Sequence, residues 1–136
     1  MALPIHDHYI RQLTIHVRER TIRLRTAFPQ MTSVEVAEVS FEGVEGYVFR
    51  GDVLGTVLFD VEEDDALTLY REYASEMQRV CSQNGGHASW AESESSATAF
   101  FSNREVTGYH LSSSIGLEAA IWARRVTVRA LTDADQ

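Results

Sequence analysis

Residues 33–65, SVEVAEVSFEGVEGYVFRGDVLGTVLFDVEEDD, constrain the fold more than any other part of the chain. They read as three consecutive strands joined by glycine turns, running into acidic residues just before a helix. Val34 and Val36 share one face of the first strand, whereas Val39 and Phe41 share the other. A one-residue change of phase exchanges the faces of a strand, so a bulge or bend is expected near Ala37. Gly43 and Gly46 bracket a turn before Tyr47, Val48 and Phe49, and Gly51 and Gly55 bracket the next. The run 56–61 is short and apolar, the expected centre of the sheet.

Upstream, Leu13, Ile15 and Val17 alternate, and after a short turn at 18–20 so do Ile22, Leu24, Thr26 and Phe28. Alternation predicts half-buried strands, and the short turn makes them a hairpin that Pro29 ends. Arg18, Arg20, Arg23 and Arg25 read as its solvated face. Downstream, Asp64 or Asp65 caps a helix expected over about 65–82, where acids favour the helix N-terminus. Ala66, Leu69, Tyr70, Tyr73, Met77 and Val80 form its apolar stripe, and Arg71, Glu72, Glu76 and Arg79 its wet face. The run Gln83-Asn84-Gly85-Gly86 stops it. Residues 91–103 read either as a second short helix or as a serine-rich loop with one helical turn. Residues 105–113 and 117–131 read as strands, the last broken at Arg124-Arg125, with a frayed tail at 132–136. The expectation is an α+β domain over 1–131, with a curved antiparallel sheet of about six or seven strands and one main helix.

Composition narrows the function. The 136 residues carry a formal charge of −8, which argues against general nucleic-acid binding, since that needs a basic footprint. It suits a monomer, a homodimer or a basic protein partner. All 12 basic residues are arginine, which excludes a Schiff-base lysine, a P-loop lysine and a Ser-Lys pair. The lone Cys81 forms no disulfide framework. No apolar run approaches the ~20 residues that span a bilayer, and the start MALPIHDHYIRQ lacks a signal-peptide pattern. The expected compartment is the cytoplasm.

Several constellations could carry chemistry. His6-Asp7-His8 places two imidazoles on one side of an extended segment, a pattern that suits zinc or another transition metal, although no further ligand follows by spacing; otherwise it is a polar lead into the first strand. The acidic run Asp60, Glu62, Glu63, Asp64, Asp65 lacks the spacing of a calcium loop. Within it Asp60 stands apart, flanked by apolar residues, and needs a partner if its face is buried. His110 lies two residues from a serine run, but the GxSxG elbow is absent, so a hydrolase is disfavoured. Trp90 and Trp122 could form a binding surface or belong to the core. Gly43, Gly46, Gly51 and Gly55 are not in phosphate-cradle order.

The pair His6-Asp7, the phrase FEGV at 41–44, LFDVEE at 58–63 and SSSIG at 112–116 resemble a group of small uncharacterised bacterial proteins. The early HD pair with alternating strands is also similar to some immunity proteins of polymorphic toxin systems. The resemblance carries over no catalytic residue and implies a small domain of unknown role more than any activity; the similarity to immunity proteins implies binding to another protein. The expected function is thus non-catalytic binding without a cofactor or metal, with Asp60, Trp90, Trp122 and His110 as candidate contacts. Two alternatives stand beside it: a metal-dependent enzyme using His6, His8 and Asp60, or a small-ligand domain with an aromatic-lined cleft between helix and sheet.

Overall fold

Alternation builds the first hairpin, but only after one extra residue. In the computed structural model, which describes residues 9–29, 34–51, 59–83, 89–113 and 118–131, β1 (Tyr9–His16) and β2 (Thr21–Pro29) pair antiparallel, with Leu13 opposite Leu24 and Ile15 opposite Ile22. The register slips between Ile10 and Gln12. That slip at Arg11 turns Ile10 onto the core face beside Leu13 and Ile15. The phase change expected near Ala37 does not occur, for β3 (Val34–Glu42) pairs with β2 without interruption. Ala37, Val39 and Phe41 face the main core, while Val36 packs with Ala27 and Leu131 on the opposite face. Burial on both faces at this end of β3 imitates a change of phase.

The chain then turns a corner. The N–H of Arg124 donates to the carbonyls of Glu42, at 3.0 Å, and Gly43, at 3.3 Å, and Glu45 N–H donates to Trp122 O at 2.7 Å. Here β3 gives way to β4 (Gly46–Arg50), and β7 (Glu118–Ala123) to β8 (Arg125–Leu131), so two paired strands leave one sheet for another side by side. Gly43 has φ +65°, and a Cβ there would lie 2.9 Å from Arg124 Cγ; both facts require glycine. The break expected at Arg124-Arg125 is this corner. Its consequence corrects the single sheet of six or seven strands. Among the described residues there are eight strands in two antiparallel sheets, ordered β1-β2-β3-β8 and β4-β7-β6-β5, where β5 is Phe59–Asp64 and β6 is Thr107–Ser113.

The second sheet is the middle layer. On one side Leu111, Tyr109 and Ile121 meet Leu24, Val39 and Phe41 of the first sheet, with the Phe41 and Tyr109 rings edge-on at 5.3 Å. On the other, Val48, Ala120 and Trp122 meet helix α1 (Ala66–Gln83) through Leu69, Tyr73 and Met77. Strand β7 is therefore apolar from Ala119 onward, with Ala119, Ile121 and Ala123 to one side and Ala120 and Trp122 to the other. It is central, whereas β5, which takes up the end of the run expected at the centre, lies on an edge. Asp65 caps α1, its carboxylate accepting the Thr68 N–H at 3.1 Å. The serine-rich segment is helical: a 3-10 turn at Ser89–Glu92 leads to α2 (Glu94–Ser102). Ser93 and Ser96 form a capping box across its start, so these serines begin a helix rather than break one. The expected turn at Gly55, Leu58, the helix stop at 84–86, the run 114–116 and the tail lie outside the described residues, as do the side chains of Val80 and Cys81.

Leu69 is fully buried, so Leu69→Ala is expected to cost about 2–5 kcal/mol in chemical denaturation; an unchanged midpoint would place the α1 stripe in solvent. A Cβ at Gly108 would lie 2.9 Å from Leu69 Cδ2, so Gly108→Ala should cost less in the Leu69→Ala background than in the parent chain.

Candidate functional site

Because β4 ends the middle sheet, one of its edges pairs with β7 and the other has no strand beside it among the described residues. The outer layers flank that open edge. The β1–β2 turn stands on one side and the Glu76–Arg79 region of α1 on the other, leaving a cleft of about 800 Å³ with 44–50 along its floor. Val17 is 80% exposed and Tyr47 39% exposed on its apolar rim, and the Tyr47 and Phe49 rings lie 5.6 Å apart.

Local chemistry holds this geometry. Arg20 has φ +56° at the hairpin turn. Its carbonyl accepts the Val44 N–H at 2.9 Å and its Nε donates to Val44 O at 3.2 Å. The Glu45 side chain, only 11% exposed, pairs with Arg20 and lies 3.7 Å from Arg124. Arg20 is exposed, as expected, and it also joins the turn to the sheet corner. A Cβ at Gly46 would come within 2.8 Å of Trp90 Cζ2, so glycine lets β4 lie against the helical layer.

The far end of β4 is charged. Arg50, Glu118, Ser112 and Asp60 stand in one register row across β4, β7, β6 and β5, on the face that carries the helices. Arg50 Nε donates to Glu76 Oε2 at 2.8 Å and its terminal nitrogen pairs with the same oxygen. That nitrogen also donates to Glu72 O at 3.3 Å. The guanidinium carbon sits 3.9 Å above the Tyr73 ring centre, and another nitrogen is 3.8 Å from Glu118. His110 Nε2 lies 3.2 Å from Glu118 Oε1, and its ring is edge-on to Tyr73. Tyr73 is fully buried and its hydroxyl meets no partner in good hydrogen-bond geometry, although the Glu118 side chain is near enough to act on it. Burial first, and the Glu118 charge second, push its phenol far above the usual tyrosine range. An unsatisfied buried hydroxyl costs about 1–3 kcal/mol.

The sequence candidates divide. His110 is part of this cluster, and Asp60 is half-buried at the β5 end of the same row. Trp90 and Trp122 belong to the core: Trp122 Nε1 donates to Ala66 O at 3.0 Å, and Trp90 Nε1 to Glu45 O at 3.1 Å. They support the cleft from behind without lining it. His6 and His8 lie outside the described residues, among which no three His, Cys, Asp or Glu side chains are grouped to hold a metal ion. Sequence reasoning missed Arg50, Tyr73, Glu76 and Glu118. The one local signal was a charge, Arg50, directly closing an apolar strand.

Burial also raises the phenol of Tyr109. The folded state therefore holds both phenolic protons more tightly than the unfolded chain does. Their stabilising contribution is complete below pH ~10 and is lost as pH rises through and beyond it. Denaturation measured from pH 9 to 12 should show falling stability, with a shallower fall in Tyr73→Phe. At neutral pH that variant should be as stable as the parent or up to about 1 kcal/mol more stable, because it removes a buried hydroxyl in poor hydrogen-bond geometry; a clear loss would mean that the hydroxyl is hydrogen-bonded in solution. In comparisons with protein families, curated proteins and solved structures, nothing matches the chain.

Proposed function

We propose that this protein is a non-catalytic binding domain that recognises another protein by taking an extended segment of it along β4. A strand edge that is open among the described residues, on the floor of a walled cleft, carries this reading. Five residues of β4 offer ~17 Å of edge. An added strand would bond to main-chain groups for affinity, while side chains along the cleft select its sequence. The β1–β2 turn and α1 flank the edge, a guard against unlimited pairing of sheet edges. Neutralisation of a toxin, as the similarity to immunity proteins implies, is one such use, and the charge of −8 suits a basic one. The cleft volume is also in the range of small-molecule sites, which favours a second reading in which a compact ligand fills it.

Panning a display library of about ten-residue extended peptides should yield binders that slow hydrogen exchange at amides of 46–50. The double variant Val17→Asp/Tyr47→Asp should weaken them by about tenfold or more, roughly the loss of two apolar contacts. Failure to select binders, or binders that protect none of these amides, would overturn strand docking. Saturable binding of small aromatic fragments with no peptide binders would favour the second reading.

A further inference from the structure

We infer that the segment docked along β4 alternates apolar and acidic residues, its carboxylates turned toward Arg79 on α1; this rests on the strand-docking reading. Successive side chains of an added strand point to opposite faces of the sheet. Each wall of the cleft therefore reads every second residue, and the two walls differ in kind. Tyr47 and Phe49 turn toward the first sheet, where Phe49 packs on its core. Val17 is 80% exposed and Tyr47 39% exposed on this side, so the hairpin wall offers apolar surface. Val48 and Arg50 turn toward α1. Val48 and Met77 are buried there, so the α1 wall meets a ligand with the charged side chains above them, Arg50, Glu76 and Arg79.

Of these charges Arg79 is the one left to a ligand. Glu76 accepts from Arg50 Nε at 2.8 Å and pairs with its terminal nitrogen. The same guanidinium is held over the Tyr73 ring. Glu45, the other acid of the lining, is 11% exposed and sits between Arg20 and Arg124. Arg79 is exposed and has no hydrogen-bond or ion-pair partner among the described residues. The lining thus sets Arg20, Arg50 and Arg79 against Glu45 and Glu76, and both acids are already answered. A carboxylate beside Arg79 meets a planar fork of donors, whereas a lysine or arginine there finds no acid that is not already paired. The chain's charge of −8 acts on a partner as a whole and is screened beyond ~8 Å at physiological salt, so inside the cleft the lining decides.

The probes are acetylated, amidated peptides of about eight residues in which valine alternates with glutamate, glutamine or lysine. Each is titrated against the folded chain by NMR, and hydrogen exchange locates it. The glutamate peptide should slow exchange at amides of 46–50 and bind about fivefold tighter than the glutamine peptide, with the lysine peptide weakest. Arg79→Gln, at an exposed position, should abolish the preference for glutamate and leave the glutamine peptide unchanged, whereas Arg79→Lys should keep most of it. Equal or weaker binding of the glutamate peptide, or a preference that survives Arg79→Gln, overturns the acidic signature; where 46–50 are still protected, strand docking stands. If none of the three and no displayed peptide protects 46–50, strand docking falls and the acidic signature falls with it.

Discussion

Burial of the middle of the β4-β7-β6-β5 sheet on both faces governs the rest of the molecule. Along β7 neither face is free for recognition, whereas Glu62 and Ser112 toward the β5 edge are exposed. Strand β7 meets the requirement with small and large apolar residues in alternation, Ala119 and Ile121 toward the first sheet and Ala120 and Trp122 toward the helices. The helical layer is anchored to the same strand by polar atoms as well, since Trp122 donates to the carbonyl of Ala66 in the first turn of α1. Removing the covering from either face would expose a strand that has no wet side.

The corner formed by Gly43 and Arg124 makes this layering possible. Two neighbouring strands cross there together, so backbone hydrogen bonding continues from one sheet into the other without an exposed break. Glu45 sits at the same place, tied through its carboxylate to Arg20 and Arg124 and through its carbonyl to Trp90. These contacts place the hairpin turn, the start of β4 and the helical layer around one point. The cleft begins there, and its position follows from the corner.

At the other end the balance of charge is different. Arg50 lies over an aromatic ring with a carboxylate on one side, an arrangement that holds a guanidinium in one orientation. Tyr73 supplies that ring and contributes a hydroxyl without a partner in good hydrogen-bond geometry. A stripe residue read as core is therefore two things at once: its ring packs in the helical layer, and its oxygen faces a charged end.

Local patterns in the chain determined the secondary elements. Alternation in Leu13, Ile15, Ile22 and Leu24, the spacing of Leu69, Tyr73 and Met77, and the cap at Asp65 each act over a few residues, and each is found in the structure. Double burial defeated the same reasoning elsewhere. Val36 imitated a bulge because both faces of β3 are apolar at that end, and the true slip at Arg11 left no mark in composition. Sheet membership was decided only in three dimensions, since the glycine turn at 43–46 reads alike whether the chain returns to its own sheet or passes to a second. The charged cluster was likewise invisible. Arg50, Tyr73, His110 and Glu118 come from three strands and a helix, and strand register together with the packing of α1 brings them within a few ångströms. The sequence by itself determined which segments are strands and helices, because those preferences are local. Tertiary structure alone decided which strand lies at the centre, which described strands form the edges and which charges meet, because these depend on contacts between residues far apart in the chain.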